Sequence, residues 1–176
     1  MDIKCFCQKY LVGRIIFSII ILLYGCNKGI SPEPEVEQEP GFSGTITFIG
    51  QWPDGITRTH VVVFKNPLNL PSDFSAFNLR YVSLEIPYGT TIYNYNSFDS
   101  NSVSSVVAGD YSYIAVAQSK TPNLSLNRVD WFVVGVYYTN GDTSTPGKLI
   151  IPPNTLIQNI NITCDFNNPP PQPPGG

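Results

Sequence analysis

Between residues 42 and 166 the chain consists of short stretches in which apolar and polar residues alternate or β-branched residues cluster. Phe42–Gly50 and Asp110–Gln118 alternate, whereas Thr57–Lys65 is a continuous β-branched run. Such stretches are typical of β-strands, and the Pro, Gly and Asn residues between them indicate turns. Further strands are predicted at Leu79–Ile86, Thr90–Tyr95, Val129–Thr139, Lys148–Ile151 and Thr155–Phe166. The sequence therefore predicts an all-β fold, a single antiparallel Greek-key β-sandwich of seven to nine strands.

Three details of these strands can be tested against a structure. Thr57–Lys65 predicts a strand that lies at the centre of a sheet or is covered on both faces. Gly135, within Val129–Thr139, predicts a bulge or the close approach of another backbone. The alternation in Asp110–Gln118 predicts that four residues share one face and two take the other, namely Tyr111, Tyr113, Ala115 and Ala117 against Ile114 and Val116.

Near the start of the chain, the apolar run Ile15–Tyr24 follows the basic residues Lys4, Lys9 and Arg14. The run is shorter than the roughly 20 residues that a helix needs to cross a membrane. A basic start, a short apolar run and a small residue before the cleavage point are the layout of a signal peptide. Residues 1–25 are therefore predicted to direct export of the chain.

The end of this run, Leu23-Tyr24-Gly25-Cys26, resembles the bacterial lipobox. The resemblance implies that lipid is attached to the Cys26 thiol, that the chain is cleaved before Cys26, and that the mature protein is held at the membrane by its first residue. An ordinary cleaved signal peptide and an uncleaved anchor stay open as alternatives, because Tyr24 is bulkier than the Ser or Ala usual at its position. The predicted location is the bacterial cell envelope, at the surface or the periplasmic face of the outer membrane.

Polar, proline-rich segments flank the predicted β-sandwich, which is assigned to residues 42–166. Residues 26–41 are rich in glutamate and proline and have too little apolar surface to offset the entropy of ordering, which predicts an extended acidic stalk. Residues 167–176, Asn-Asn-Pro-Pro-Pro-Gln-Pro-Pro-Gly-Gly, are predicted to form a disordered tail, because prolines cannot continue a strand ladder. A polyproline docking strip is the alternative for this tail.

Composition argues against several classes of partner and reaction. The formal net charge is -3 and no basic stripe is present, which disfavours a nucleic-acid partner. His60 is the single histidine, so a Ser-His-Asp relay or a multi-histidine metal centre is disfavoured, and we expect a strand histidine bonded to a neighbour. Cys164 lies in an alternating apolar run and is expected to be a buried small hydrophobe. The sequence predicts no catalytic residue, no metal ligand and no cofactor.

Aromatic residues next to predicted turns are the candidate binding residues. Trp52, Tyr88, Tyr93 and Tyr95, with Phe98 close by, lie in or beside turns, where the functional residues of a β-sandwich concentrate. Exposed Trp and Tyr rings stack on sugars or anchor protein partners. The competing interpretation is that these rings fill the core while their polar atoms reach water.

A family resemblance adds to this interpretation. Ala108–Ala117 is similar to the small-Gly-x-Tyr-x-x-x-Val strand of prealbumin-like sandwiches, which include transthyretin-like and carboxypeptidase-regulatory-like domains. Gly44–Phe48 and Val61–Phe64 resemble the first two strands of that family, and Ile160–Phe166 resembles the last strand of Bacteroidetes-type lipoproteins that carry such a domain. The long connection Asn66–Asn78 departs from the pattern. The resemblance implies a generally non-catalytic sandwich and carries over no active-site residue.

Together these features predict a lipid-anchored, non-enzymatic cell-envelope protein with a binding or structural role. The membrane is its partner through Cys26, and a glycan or another envelope protein is the expected second partner. An accessory glycan-binding subunit of a larger surface system is the first alternative, and an envelope hydrolase is the second.

Overall fold

The computed structural model describes residues 38–99, 106–139 and 141–176. The predicted signal peptide, Cys26 and most of the predicted stalk lie outside these ranges. Inside them the chain forms ten β-strands and two 3₁₀ turns, which confirms the all-β class. The strands are β1 Gly41–Ile49, β2 Arg58–Phe64, β3 Leu79–Val82, β4 Ile92–Asn96, β5 Gly109–Tyr111, β6 Tyr113–Ser119, β7 Trp131–Val136, β8 Leu149–Ile151, β9 Leu156–Ile157 and β10 Ile162–Asp165. The 3₁₀ turns are Pro71–Asp73 and Arg128–Asp130.

The strands form two larger sheets and one small pair. The first sheet has the order β10-β1-β4, and β9 also pairs with β1. The second sheet has the order β3-β2-β6-β7, and β5 pairs with β8. The pairs of the second sheet are antiparallel, but β9 and β10 run parallel to β1. Most strand pairs are therefore antiparallel, as predicted. The two parallel pairs and the count of ten described strands differ from the predicted antiparallel arrangement of seven to nine strands, since hydrophobic alternation locates strands without giving the direction of their partners.

Buried residues of both larger sheets meet in one hydrophobic core. Phe42 and Ile46 of β1 have no exposed surface, and neither have Val61 of β2 and Ile114 of β6. The Phe42 ring packs edge-to-face on Tyr81 of β3, with ring centroids 5.1 Å apart. Burial of each such side chain stabilises the fold by about 1.5 to 3 kcal/mol. This core therefore holds the two sheets together, and the small pair contributes to it through Tyr111, Leu149 and Ile151.

The second sheet is apolar on both of its faces. Val61 and Val63 of β2 belong to the shared core, while Val62 and Phe64 pack on the opposite face. On that face Phe64 belongs to a second cluster with Leu68, Leu79, Tyr113, Ala115, Val133 and Val136. Because β2 also lies between β3 and β6, the prediction of a central strand covered on both faces is confirmed.

The strand predicted at Asp110–Gln118 is broken at Ser112 into β5 and β6. The break changes which face each side chain takes. Tyr111 lies in the shared core with Ile114, whereas Tyr113 belongs to the second cluster. The prediction that Tyr111 and Tyr113 share a face is therefore wrong, because one residue outside the ladder shifts the parity of the side chains that follow it.

At Gly135 the structure shows both features that the sequence offered as alternatives, a bulge and the close approach of another backbone. The register between β6 and β7 shifts so that neighbouring residues of β6 pair with Gly135 and Val133, leaving Val134 without a ladder partner. This is a β-bulge. A Cβ atom at position 135 would also lie 3.0 Å from the backbone carbonyl oxygen of Thr163 and 2.5 Å from the Sγ atom of Cys164, both in β10. The glycine thus lets the edges of the two sheets approach each other.

Residues 167–176 pack against the second sheet. The side-chain amide of Gln172 pairs with the backbone of Val133 in β7, where Oε1 accepts from the N–H and Nε2 donates to the carbonyl, both at 2.8 Å. Pro173 is buried, and its carbonyl accepts a hydrogen bond from Arg128 at 2.9 Å. A disordered tail was expected here. The outcome differs because an amide side chain supplies the ladder hydrogen bonds that the flanking prolines lack.

Candidate functional site

Two of the four predicted ligand-contacting aromatics are core residues. Trp52 is 8% exposed, and its Nε1 donates to the Thr90 carbonyl at 3.0 Å. Tyr95 is 4% exposed, and its hydroxyl donates to the Ile160 carbonyl at 2.6 Å. Burial raises the pKa of Tyr95, so its hydroxyl stays protonated and remains a donor. The structure thus corrects the expectation that these rings contact a ligand, because each polar atom finds a carbonyl inside the fold.

The other two predicted aromatics occupy different surroundings. Tyr88 is more than half exposed, and its ring lies 5.2 Å from that of Trp52. Trp52 also packs on Phe48 and Phe166, with centroids 4.7 and 5.4 Å away. Tyr93 is half-buried and packs against the shared core. The structure therefore brings Trp52 and Tyr88 together as an aromatic lid on one end of the core and leaves Tyr88 as its exposed member.

The reactive side chains singled out from the sequence are inside the fold. His60 is buried, and its Nδ1 lies 2.9 Å from the Ser83 carbonyl, which confirms the expected strand histidine with a neighbouring partner. Burial lowers the pKa of His60, against the opposing effect of that hydrogen bond. Cys164 has no exposed surface, and its burial raises the pKa of the thiol. Across the ranges that the structure describes, no three His, Cys, Asp or Glu side chains are grouped to hold a metal ion.

The outer face of the second sheet is overlaid by residues 66–78 and 119–130, and we call it the covered face. An apolar cavity of about 50 Å³ lies under these loops, between Val62 of the sheet and Phe74 and Leu124 of the loops. Beside it, the buried Arg128 guanidinium donates to the carbonyls of Trp131 and Pro173 and lies 5.8 Å from the Phe74 ring. The tail that follows β10 therefore helps to fasten the loops to the sheet.

The outer face of the first sheet is polar, and we call it the open face. The alternation of β1 places Phe42, Ile46 and Phe48 in the core and leaves Thr45 and Thr47 on the other side. Strand β4 continues the same pattern, since Tyr93 and Tyr95 point inward while Asn94 and Asn96 alternate with them. The exposed side chains of this face include Thr47, Asn94, Asn161 and Thr163.

A recess of about 360 Å³ lies on the open face, and we call it the amide recess. It extends from β4 across β1 to residues 158–161, where the chain leaves β1 between β9 and β10. A Cβ atom on Gly44 would lie 2.1 Å from the Ile160 carbonyl oxygen, so only glycine allows this close approach. The described residues that line it are Ser43, Gly44, Thr45, Asn94, Tyr95, Asn96, Asp99, Gln158, Asn159 and Asn161.

Hydrogen bonds to the framework fix three amides of the recess. The Oδ1 of Asn161 accepts from the Thr45 N–H at 2.9 Å, and the Oδ1 of Asn96 accepts from the Phe98 N–H at 3.0 Å. The Oδ1 of Asn94 accepts from the Thr45 hydroxyl at 2.9 Å. Because a backbone N–H can only donate, the amide oxygens of Asn96 and Asn161 face the framework, and their NH₂ groups remain available as donors.

An aromatic ring borders the amide recess. Phe98 is 45% exposed. Asn96 and Asp99, which precede and follow it in the sequence, both line the recess. Its ring lies directly on the backbone of Gly41, where a Cβ atom would be 2.7 Å from the ring. The glycine at the start of β1 therefore leaves room for an aromatic ring beside the polar side chains.

Sequence reasoning did not identify the asparagines of the amide recess. Asparagine is typical of turns, and Asn159 and Asn161 follow that expectation, with Asn159 at a left-handed φ of 64°. A signal did exist in the alternation Tyr93-Asn94-Tyr95-Asn96, which predicts two tyrosines on one face and two amides on the other. Only the structure shows that the second segment, residues 158–161, lies across β1 from that strand.

No helix in the described ranges is long and apolar enough to span a membrane. Comparison with known proteins found no family model, no curated protein and no solved structure that matches the chain.

Proposed function

We propose that this protein is a lipid-anchored, non-enzymatic binding module of a bacterial cell envelope. In this proposal lipid on Cys26 holds the protein at the outer membrane, residues 26–41 form a stalk, and a prealbumin-like Greek-key β-sandwich carries the binding surface. The lipobox resemblance at Leu23–Cys26 and the abrupt change to a Glu- and Pro-rich segment support the anchor. The strand pattern and the core shared by two sheets support the sandwich.

One observation supports the binding role: polar side chains of the open face are held in place by hydrogen bonds, and the surface that they form is open to solvent. Thr45, Asn94, Asn96 and Asn161 are held by hydrogen bonds within the framework, yet the recess that they line is open to solvent. Side chains that are already ordered lose little entropy when a partner binds. A surface of this kind suits recognition of a partner.

The anchor is tested by metabolic labelling with radioactive palmitate. Cys26→Ala should abolish labelling and release the protein or leave its precursor uncut, whereas Cys7→Ala should leave labelling and processing unchanged. Labelling of the Cys26→Ala chain would refute the anchor. Protease shaving of intact cells, with a periplasmic protein as control, then distinguishes display at the surface from display in the periplasm.

The binding role is tested with envelopes isolated from a strain of the source bacterium that lacks this protein. Ser43→Arg places a long side chain in the amide recess and should abolish retention on these envelopes. Lys120→Glu changes an exposed charge on the loop after β6, at the covered face, and should leave retention unchanged. If Ser43→Arg is retained as well as Lys120→Glu, the open face is not the binding surface.

A second candidate function is supported by the covered face. Leu124 and Leu126 are 56% and 62% exposed and line the apolar cavity beside Phe74. Exposed apolar residues around a cavity suit contact with another protein. An accessory subunit of a larger surface system would use this face, and Leu126→Asp should then prevent cross-linking to a partner in intact cells.

A further inference from the structure

We propose that the amide recess is a binding site for a neutral polysaccharide. This inference rests on the proposed binding role and names the chemistry of its ligand. It depends on the recess and on Phe98 at its border, and not on Trp52 and Tyr95, because those two rings are buried.

The polar groups of the recess match the hydroxyl groups of a sugar. A sugar hydroxyl both donates and accepts hydrogen bonds, and neighbouring hydroxyls present these roles side by side. The recess offers amide NH₂ donors on Asn94, Asn96 and Asn161 and a carboxylate acceptor on Asp99. In the part of the chain that the structure describes, these NH₂ groups have no other hydrogen-bond partner. They are therefore free to bind a ligand.

The charge of the recess selects against anionic ligands. None of the described lining residues is Lys, Arg or His, and Asp99 contributes the one carboxylate. Proteins recognise phosphate and carboxylate groups mainly with Arg and Lys. A phosphorylated or uronic-acid ligand would meet a negative charge here without a compensating cation. A neutral ligand meets no such cost.

The shape of the recess suits part of a chain and not an enclosed small molecule. Its volume of about 360 Å³ is at the lower end of the roughly 300–1,000 Å³ of ligand sites, but it is a shallow surface depression. It lies across the strands between β4 and residues 158–161, so a polymer can enter and leave at its ends. Phe98 at the border provides an apolar ring on which the C–H face of a sugar packs.

The experiment measures binding of the full chain, purified from membranes in detergent, to immobilised polysaccharides. The probes are dextran, mannan, xylan and galactan as neutral polymers, with alginate and heparin as anionic ones. We expect saturable binding to at least one neutral polymer and none to alginate or heparin. Binding to the anionic polymers alone, or to none of the six, would overturn the inference.

Two substitutions test whether the recess is the site. Phe98→Ala removes the bordering ring and Asn94→Leu removes an amide whose only framework bond is to an exposed hydroxyl, and each should weaken binding about tenfold. Tyr88→Ala is the matched control, because it removes an exposed aromatic ring at the Trp52 lid. Affinity that is unchanged in both recess variants, at an unchanged urea midpoint, contradicts the inference. If either variant is unstable, Ser43→Arg replaces it, because this substitution fills the recess without deleting an amide. Unchanged affinity in Ser43→Arg would likewise contradict the inference.

Treatment of isolated envelopes separates failure of this inference from failure of the proposed function. Periodate destroys vicinal diols of sugars, whereas protease destroys proteins. Retention that is lost after periodate and survives protease supports a glycan ligand. Retention that survives periodate and is lost after protease overturns the glycan but leaves a binding module that acts through the same face.

Discussion

The outer faces of the two larger sheets are built in opposite ways. The covered face of the second sheet is apolar, with Phe64 and Val133 packed under loops and under the tail. The open face of the first sheet carries Thr47 and Asn94 and has no such cover among the described residues. Both faces are fixed, but by different forces. Burial of apolar surface stabilises the covered face, whereas hydrogen bonds between side chains and backbone order the open one.

Under the proposed function, this difference separates stability from binding within one small domain. On the covered face the chain itself removes apolar surface from water. Long connections such as residues 66–78 provide this cover. The open face contributes little apolar burial, so its side chains can change with little loss of stability. A partner can therefore be recognised there without weakening the core, and substitutions on the two faces should have different consequences.

The largest expected effect comes from Gly44, where the open face depends on the backbone beneath it. Gly44→Ala places a Cβ atom 2.1 Å from the Ile160 carbonyl oxygen. Backbone atoms cannot move aside as a flexible side chain does, so we expect a loss of about 3 kcal/mol in the free energy of unfolding. Urea denaturation followed by tryptophan fluorescence measures it. Binding at the amide recess should be lost as well.

Gly55→Ala is the control for this prediction. Gly55 has a φ of 76°, and no atom lies within 4 Å of the position of an added Cβ. The substitution should therefore cost only the strain of the left-handed backbone, about 1 kcal/mol. If both substitutions had the same effect, the close approach of Ile160 to β1 would not be a constraint.

The second prediction compares one phenylalanine on each face. Phe74 packs 5.6 Å from the Phe64 ring and 5.8 Å from the Arg128 guanidinium, whereas Phe98 is nearly half exposed. We expect Phe74→Ala to lower the free energy of unfolding by about 2 kcal/mol, less than a fully buried phenylalanine would. Phe98→Ala should lower it by about 0.5 kcal/mol. Chemical denaturation of the two variants in parallel measures the difference, and the reverse order would contradict the assignment of the two faces.

The third prediction concerns the tail that holds the covered face. Gln172→Ala removes both hydrogen bonds to Val133 and should cost about 1 kcal/mol. The Val133 amide should then exchange with deuterium faster than in the unchanged chain. Gln158→Ala provides the control, since Gln158 is an exposed residue of the same type on the open face. Unchanged exchange at Val133 after Gln172→Ala would mean that the tail does not protect the strand.

These residues also show how far the sequence predicts the structure. Alternation located most strands within a few residues, because one face of each strand must be buried. The prediction of one strand over Thr155–Phe166 is wrong, since this range contains the two strands β9 and β10. Alternation did not reveal that Gln172 would act as a ladder partner, since a lone glutamine among prolines has no local preference for a strand edge. Nor did it show that Trp52 would be buried. A position beside a turn does not reveal that a carbonyl, here that of Thr90, lies within reach of the indole N–H.

The candidate site was harder to predict than the fold. Asn94 and Asn161 are far apart in sequence, and they meet only because β4 and the segment before β10 lie on opposite sides of β1. Pairing of distant segments depends on the whole topology and not on local pattern. The sequence indicated that one face of β4 is polar, and the segment between the parallel strands β9 and β10 supplied the remaining amides.

The smallest expected effect is a dependence of stability on pH that arises from the covered face. His60 alternates along β2 with Val62 and Phe64 of that face, and its ring lies 6.1 Å from that of Trp131. Burial lowers its pKa in the folded state, while the Ser83 carbonyl and the Glu85 carboxylate oppose this shift and Arg58 adds to it. The unfolded chain therefore binds a proton more readily than the folded one. Stability should be complete above pH of about 6.5 and should decrease as the pH falls from there to the lowered pKa of the folded state.

Urea midpoints at pH 7.5, 6.5 and 5.5 measure this dependence. His60 is the single histidine of the chain, so His60→Leu should remove the decrease between pH 7.5 and 5.5 whatever its effect on absolute stability. Addition of Thr47→His to the His60→Leu chain provides the comparison, because it places an imidazole on the open face, where water solvates the charged form, and should not restore the decrease. An unchanged slope in His60→Leu, or a stability that rises as the pH falls, would show that the cover over β2 does not exclude water from the histidine.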